Sequence, residues 1–349
     1  MVKLLGLTCG KKMGNCEILL KEALQSAKET GDIEGSLIRL LDLDIKPCTG
    51  CAKCAHGLFQ GGSGKCIIRD DFPFLDEHFM ECDGLIIAAP VFVLAPHGVL
   101  KVVADRMGPS HDLYWRMAAK KIREESGNTK GEGPDERSFK KRVGAFISTG
   151  GASTPNWLSF GFPLMHLNTM PSHVHVVDHM QVNSISRFFN VVLTSDNLER
   201  ARKLGKNVAD SMKDSAEEVK WLGDEEGTCP VCHSNLLTVT DRNPVECPIC
   251  GIEGELRIEG DRITVIFSEE EQKRSRLTIA GLKEHWDELR GNSQMARQRP
   301  DMSKMQERVE KYKSPEFESF VIPPPEKKKE KIMPPIAFEI NWGHSVVSP

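Results

Sequence analysis

The chain has 349 residues, long enough for one large domain with appendages or for two domains. Apolar residues make up 39% and charged residues 28%, with a net charge of −4, a balance that excludes a protein built mainly to neutralise phosphates. No apolar run reaches the ~18 residues of a membrane-spanning helix, and the N-terminus lacks a secretory-signal pattern, so the expectation is a cytoplasmic protein with no membrane partner.

In chain order, Lys3–Thr8 reads as a first strand that runs into the loop "CGKKMGN". A helix follows, with Ile18, Leu19, Ala23, Leu24 and Ala27 at helical spacing. Ser36–Leu43 is expected as the second strand, followed by a cysteine-rich loop over Lys46–Asp71 and a helix in "DFPFLDEHFMEC". Gly84–Pro90 is a fully apolar strand of the buried, parallel kind, and "GVLKVVADRM" is helical. The charged, Gly-containing stretch "KKIREESGNTKGEGPDERSFKK" is expected as a solvated loop. Arg142–Gly151 and His173–Asp178 supply two more strands, and "SDNLERARKLGKNVADSMKD" a long amphipathic helix.

This alternation predicts an α/β fold over residues 1–220, with a doubly wound, five-stranded parallel sheet. Ligands of such sheets bind beyond the C-terminal strand ends, where "TCGKKMGN", the cysteine loop, "PVFVLAPHG" and "STGGAST" all lie. Residues 221–267 read as a small strand-rich module with its own cysteines, and 268–290 as a helix opening on a Ser268 cap. Residues 291–349, with "IPPPEKKKEKIMPP", show no helical or strand period and read as an extended arm suited to wrapping a partner subunit.

Eight of the eleven cysteines form two groups at two-residue spacing, which in a reducing compartment points to metal ligands. Cys229, Cys232, Cys247 and Cys250 form two Cys-x2-Cys knuckles, the pattern of a tetrathiolate zinc ribbon, with a rubredoxin-type iron centre as the alternative. So small a module needs such a staple to fold. Its charge is mixed and it has no basic stripe, so a nucleic-acid partner is not expected and docking is the expected role. His233, beside a ligand, is expected to face solvent. In the first loop, Cys48, Cys51, Cys54 and Cys66 suit a [4Fe-4S] cluster, with zinc or unmetallated thiols as alternatives.

The strand, the Gly-Asn loop before a helix, "KPCTGCAKC", "APVFVLAPHGVLKVVADR" and "STGGA" together resemble the flavodoxin-like NADPH-dependent FMN reductase family, and most closely its iron–sulfur flavoprotein branch. The resemblance covers roughly residues 1–215. It implies FMN, with the phosphate in the loop of Thr8, Cys9, Lys11, Gly14, Asn15 and Cys16. The flavin ring would then lie between the backbone of Pro90, Val91, Phe92, Val93 and Leu94 and that of Thr149, Gly150 and Gly151. The chain departs from the family in having Cys9, Lys11 and Cys16 where Ser, Arg and Thr or Ser are usual. His97, His111 and Tyr114 are candidate proton donors to a substrate reduced at the flavin.

The expected function is an FMN-dependent iron–sulfur oxidoreductase passing electrons between the cluster, FMN and a small organic substrate. Ferredoxin or NAD(P)H would be the donor, and the resemblance implies a homodimer or homotetramer. The alternatives are an NAD(P)H-dependent FMN or quinone reductase without iron, and a flavin-bearing regulator or scaffold that binds partners through its ribbon.

Overall fold

The computed structural model describes residues 1–127, 130–186 and 189–323. The first apolar run is strand β1 (Val2–Thr8), followed by helix α1 (Asn15–Glu29) and strand β2 (Ile33–Arg39). Helices α2 (Lys53–Phe59) and α3 (Phe72–Glu81) lead to strand β3 (Gly84–Phe92), which turns back into the short β4 (Ala95–Pro96). Helices α4 (Val99–His111) and α5 (Leu113–Glu125), strand β5 (Arg142–Thr149), helix α6 (Gly161–Met165), strand β6 (Val174–Val182) and helix α7 (Ser195–Ser211) complete the layer.

The sheet order is β2-β1-β3-β5-β6, with all four pairings parallel. This is the expected flavodoxin-like doubly wound sheet, and the order reverses between β1 and β3. Both faces are buried because side chains alternate along each strand. Leu4, Ile86 and Ala145 pack with Leu19, Leu20 and Leu204 on one side. Leu5, Leu85, Ile87 and Phe146 pack with Phe79 and Val103 on the other.

Three expected boundaries shift. The second strand starts earlier than Ser36, because Ile33 through Arg39 pair one-to-one with Val2 through Thr8; Leu40–Asp42 is a 3-10 turn that buries Leu40. The apolar spacing of "LIRLLDL" misplaced it. The charged stretch from Lys120 is not all loop, since α5 continues to Glu125. The helix expected over 268–290 is two helices, α8 (Glu269–Lys273) and α9 (Ile279–Gln298). Ser268 caps the first, as its sequence suggests, and Thr278 Oγ1 accepts from Gly281 N to start the second.

The second cysteine group is carried by a three-stranded antiparallel sheet, β7 (Val245–Glu246), β8 (Glu253–Glu259) and β9 (Arg262–Ile266). Residues 1–290 form one compact unit, and the chain from Gly291 onward is a second unit, with short helices α10 (Met305–Glu310) and α11 (Pro315–Glu318). The Pro- and Lys-rich end of the expected arm, 324–349, lies outside the described residues. Among the described residues no helix is long and apolar enough to cross a membrane.

Helices α1 and α7 cross at Gly205, where an added Cβ would meet Ala23 O at 2.0 Å. Gly205→Ala should therefore destabilise by about 1–3 kcal/mol, although alanine is the better helix former. Thermal unfolding followed by circular dichroism checks this, and an unchanged or raised midpoint refutes the close crossing.

Candidate functional site

The loop after β1 is a tight turn around two glycines. Gly14 N donates to Lys11 O at 2.8 Å and Gly10 N to Thr8 Oγ1 at 3.2 Å. A Cβ on Gly10 would sit 2.9 Å from Cys16 Cβ, and one on Gly14 2.8 Å from Lys11 O. Helix α1 begins right after Gly14 with no side-chain cap, so its first-turn N–H groups face the loop together with the exposed Lys11 and Lys12.

The remaining loop residues hold its shape. Asn15 donates to Ser186 O (3.1 Å) and accepts from Val191 N (2.9 Å). The buried Glu17 carboxylate accepts from Arg39, from Lys21 and from Met13 N. The Arg39 hydrogen bond holds its pKa down at about 2, with Lys21 helping. Cys9 and Cys16 point into the two cores, and Cys16 Sγ lies 3.1 Å from Thr149 Oγ1. Burial raises the pKa of both thiols, Cys16 to about 12, so both stay neutral and neither repels an anion. They offer a ligand only backbone.

The second loop is the β3–β4 hairpin. Val91 and Phe92 pair with Pro96 and Ala95 across a two-residue turn, Val93–Leu94, with φ of 51° and 70°. That conformation normally selects Asn-Gly, and a β-branched residue there is strained. Val93 is also 95% exposed. Strain of this kind concentrates where backbone is shaped for a ligand. Leu94 O accepts from Phe160 N, and Gly150 N donates to Val182 O, which fixes both the hairpin and the loop after β5.

His97 sits at the foot of the hairpin, where its Nδ1 accepts from Val99 N (3.2 Å) and its ring lies edge-on to Phe92. His111 and Tyr114 do not join it. His111 closes the far end of α4, roughly 18 Å along the axis from Val99. It is buried, 2.7 Å from both Ser110 Oγ and Asp76 Oδ1. Tyr114 lies in the first turn of the next helix and neighbours Lys283. The helix predicted over "GVLKVVADRM", which is α4, separates these two from the loops.

The first cysteine loop is closed at its base. The Asp70 carboxylate accepts from Arg106 Nη1 and Nη2, Lys46 N (2.9 Å) and Phe72 N (3.0 Å), and Arg106 Nη1 also donates to Lys46 O (2.8 Å). Both charged side chains are fully buried. The long gap before Cys66 is filled by α2 and a glycine turn; Gly61 has φ 92°, and its O accepts from Gly133 N (2.9 Å). Burial raises the Cys54 pKa, and the nearby Cys66 and Cys48 push it the same way. Cys66 neighbours the Arg106 guanidinium, Cys54 neighbours Arg116, and Gly50 N donates to Cys48 Sγ at 3.4 Å. Cys48 and Cys51 are exposed.

The second group is tighter. The sulfur atoms of Cys229, Cys232, Cys247 and Cys250 all lie within 4.8 Å of one another, and all four residues are buried. The Cys229–Cys250 and Cys232–Cys247 separations are 3.7 and 3.5 Å. A tetrahedral ion with metal–sulfur bonds of about 2.3 Å needs edges of about 3.8 Å, so the donor set fits a single metal ion. Among the described residues this is the one group of metal-ligating side chains drawn so close; the first-loop thiols are not. His233 does not face solvent as expected. Its ring stacks on Trp221 at 3.8 Å and its Nδ1 lies 2.7 Å from Glu226 O.

A profile of NADPH-dependent FMN reductases matches residues 2–158. The flavone synthase cfoJ of Aspergillus candidus is 31% identical over 293 residues, 82% of this chain and 88% of that protein. A solved flavone reductase superposes with a TM-score of 0.72 at 27% identity, covering 89% of this chain and 98% of that one. The chain belongs to the NADPH-dependent FMN reductase family. An iron–sulfur flavoprotein of Methanocaldococcus jannaschii is 36% identical over 96 residues, 28% of this chain and 46% of that protein, so the chain spans under half of that relative.

As a member of this family the protein is an FMN oxidoreductase, and the loops fit that cofactor. The uncapped α1 terminus and Lys11 suit a phosphate, and the hairpin backbone suits a flat ring.

Two predictions follow from the pairs that hold these loops. Arg106→Gln leaves Asp70 buried and unpaired, which should cost about 3–5 kcal/mol in denaturant unfolding. Residues 46–70 should then lose hydrogen-exchange protection first; unchanged protection there rules out the closing role. Glu17 has its folded pKa below the ordinary value of 4.5, so its contribution is complete above pH 4.5 and is lost as pH falls towards about 2. The stability gap between the native chain and Glu17→Gln should shrink over that window, and a gap constant from pH 5 to pH 2 would contradict the pairing.

Proposed function

We propose that the protein interconverts a flavone-type substrate and its 2,3-dihydro form, moving two electrons and two protons at one carbon–carbon bond. The observation that carries this reading is the span of the similarity. The likeness to a flavone synthase and a flavone reductase runs through more than four-fifths of this chain, ribbon-bearing part included, whereas the iron–sulfur flavoprotein match covers under a third. The two names describe opposite directions of one redox change, so the fold serves both: an electron donor drives the reduction and an electron acceptor the oxidation.

Bound FMN supplies the capacity to exchange electrons singly or in pairs. The chain supplies position. The hairpin backbone and the loop of Thr149, Gly150 and Gly151 hold the ring, and the Thr8–Cys16 loop holds the phosphate. His97 is the proton-handling candidate that lies at these loops. Its Nδ1 accepts from Val99 N, which leaves Nε2 to carry and donate the proton. NAD(P)H is the donor in this reading. Exposed Phe92, Val93, Trp157 and Phe160 around the hairpin support a homo-oligomer with its interface beside the flavin.

We further assign a [4Fe-4S] cluster to Cys48, Cys51, Cys54 and Cys66 and zinc to the ribbon. Support for the cluster comes from the approach of Cys48, Cys54 and Cys66, the N–H donated to Cys48 Sγ and the flanking Arg106 and Arg116. With the cluster present, a ferredoxin-type donor can deliver electrons one at a time. The exposure of Cys48 and Cys51 favours the second reading, a nicotinamide-dependent reductase whose loop thiols carry no metal.

The test is an anaerobic preparation of the full chain, assayed for FMN, iron, sulfide and zinc, for flavone reduction with NADPH or reduced ferredoxin, and for flavanone oxidation with NADP+ or oxidised ferredoxin. About four irons and four sulfides per chain, lost in Cys66→Ala with FMN retained, support the cluster. Zinc and FMN alone, with turnover, leave the metal-free loop. Absence of turnover in both directions overturns the flavonoid reading.

A further inference from the structure

A cavity of about 700 Å³ opens between the C-terminal end of β6 and the first ribbon knuckle. Its volume falls in the range of about 300–1,000 Å³ typical of small-molecule sites. One wall is formed by His179 and Gln181, alternate residues on one face of β6, with Asn183 just past its end. The loop after β5 supplies Ser159, α6 supplies Phe162, and the ribbon supplies His233 and Leu236.

Aromatic rings bind the walls into one surface. Phe162 stacks on His179 at 4.0 Å and 15°, His179 meets the edge of Trp221 at 4.8 Å, and Trp221 stacks on His233 at 3.8 Å and 14°. This ladder runs from the sheet into the ribbon. It also explains why a histidine occupies position 233 with φ 58°, where the matching position of the second knuckle is Gly251 with φ 68°. The stack offsets the left-handed backbone.

The polar chemistry narrows the ligand. Arg200 is the cation lining the cavity, and Asp178 and Asp224 already hold its guanidinium. The Nδ1 of His179 is buried without a hydrogen-bond partner, and burial keeps this ring neutral. With stacking rings, amide side chains and a committed arginine, the site has nothing to neutralise a diphosphate, which disfavours a dinucleotide. It suits a neutral, planar, hydroxylated aromatic molecule.

The cavity also adjoins the flavin loops. Phe160 N, between the wall residues Ser159 and Phe162, donates to Leu94 O of the hairpin at 3.2 Å, and Val182 O, at the end of β6, accepts from Gly150 N at 2.9 Å. Both flanks of the flavin position are thus stitched to the cavity by backbone hydrogen bonds.

We propose that this cavity is the flavonoid-binding site and that the ribbon forms one of its walls, which makes the ribbon a substrate-recognition element as well as a metal-stapled module. This inference rests on the flavonoid reading above. The probe is apigenin, a trihydroxyflavone, bound to the full-length FMN-loaded protein and measured by isothermal titration. Ser159→Trp fills the cavity from the loop side and Leu236→Trp from the ribbon side. Each should weaken apigenin binding by about tenfold or more with FMN and zinc contents unchanged, whereas Ser159→Ala should stay within about twofold. Hydrogen exchange on the native protein gives a readout independent of variant folding, with apigenin expected to protect segments 179–183 and 233–236.

Native-like affinity in both tryptophan variants, or protection confined to other segments, overturns the site while the flavonoid reading stands. A native protein that neither binds apigenin nor converts it loses the flavonoid reading and this inference together.

Discussion

The buried Asp70–Arg106 pair is the constraint on which the site's layout depends. A carboxylate and a guanidinium with no solvent exposure are stable there because each pairs with the other and with backbone: Asp70 also accepts from Lys46 N and Phe72 N, and Arg106 Nη1 donates to Lys46 O. Those same bonds draw Lys46 and Phe72 together, so the cysteine loop leaves and rejoins the domain at one point. They also anchor α4 midway along its length. The hairpin hangs from its first turn, and the His111–Asp76 contact closes its last. One ion pair therefore sets the spacing between the β3–β4 hairpin and the loop thiols, roughly two helical turns along α4.

The sheet was legible in the sequence because its central strands are buried on both faces. Such strands read as unbroken apolar runs, as in "GLIIAAP", whatever happens at their ends. The edge strand β2 was harder to place, since Gly35 and Ser36 interrupt its pattern and Leu40 and Leu41 extend it falsely. The ribbon was legible for another reason: ligand spacing is a covalent property of the chain, and four thiols at two knuckles have few ways to meet.

Much of the site could not be read that way. The Val93–Leu94 turn carries none of the residues that signal such a turn, because tertiary contacts impose its conformation. The walls of the 700 Å³ cavity come from residues scattered between Pro155 and Leu236, and no local pattern links Phe162 to His233. The reading of His111 failed through length alone, since proximity in sequence to a functional loop says little once a helix intervenes. Resemblance to a family supplied the flavin; the geometry supplied the rest.

The eleven thiols divide sharply by environment, and that division governs how the molecule ages. Cys9, Cys16 and Cys82 are buried with raised pKa values, and the ribbon thiols are enclosed. Cys48 and Cys51 alone are exposed, and hydrogen bonding from the Lys53 backbone and Thr49 lowers the pKa of Cys51. Peroxide and air therefore attack one edge of the protein first, because oxidation follows thiolate character and access. With the assigned cluster in place, the same oxidation would strip two of its four ligands while the buried thiols and the ribbon stand, so the state of the loop has to be judged from those thiols themselves.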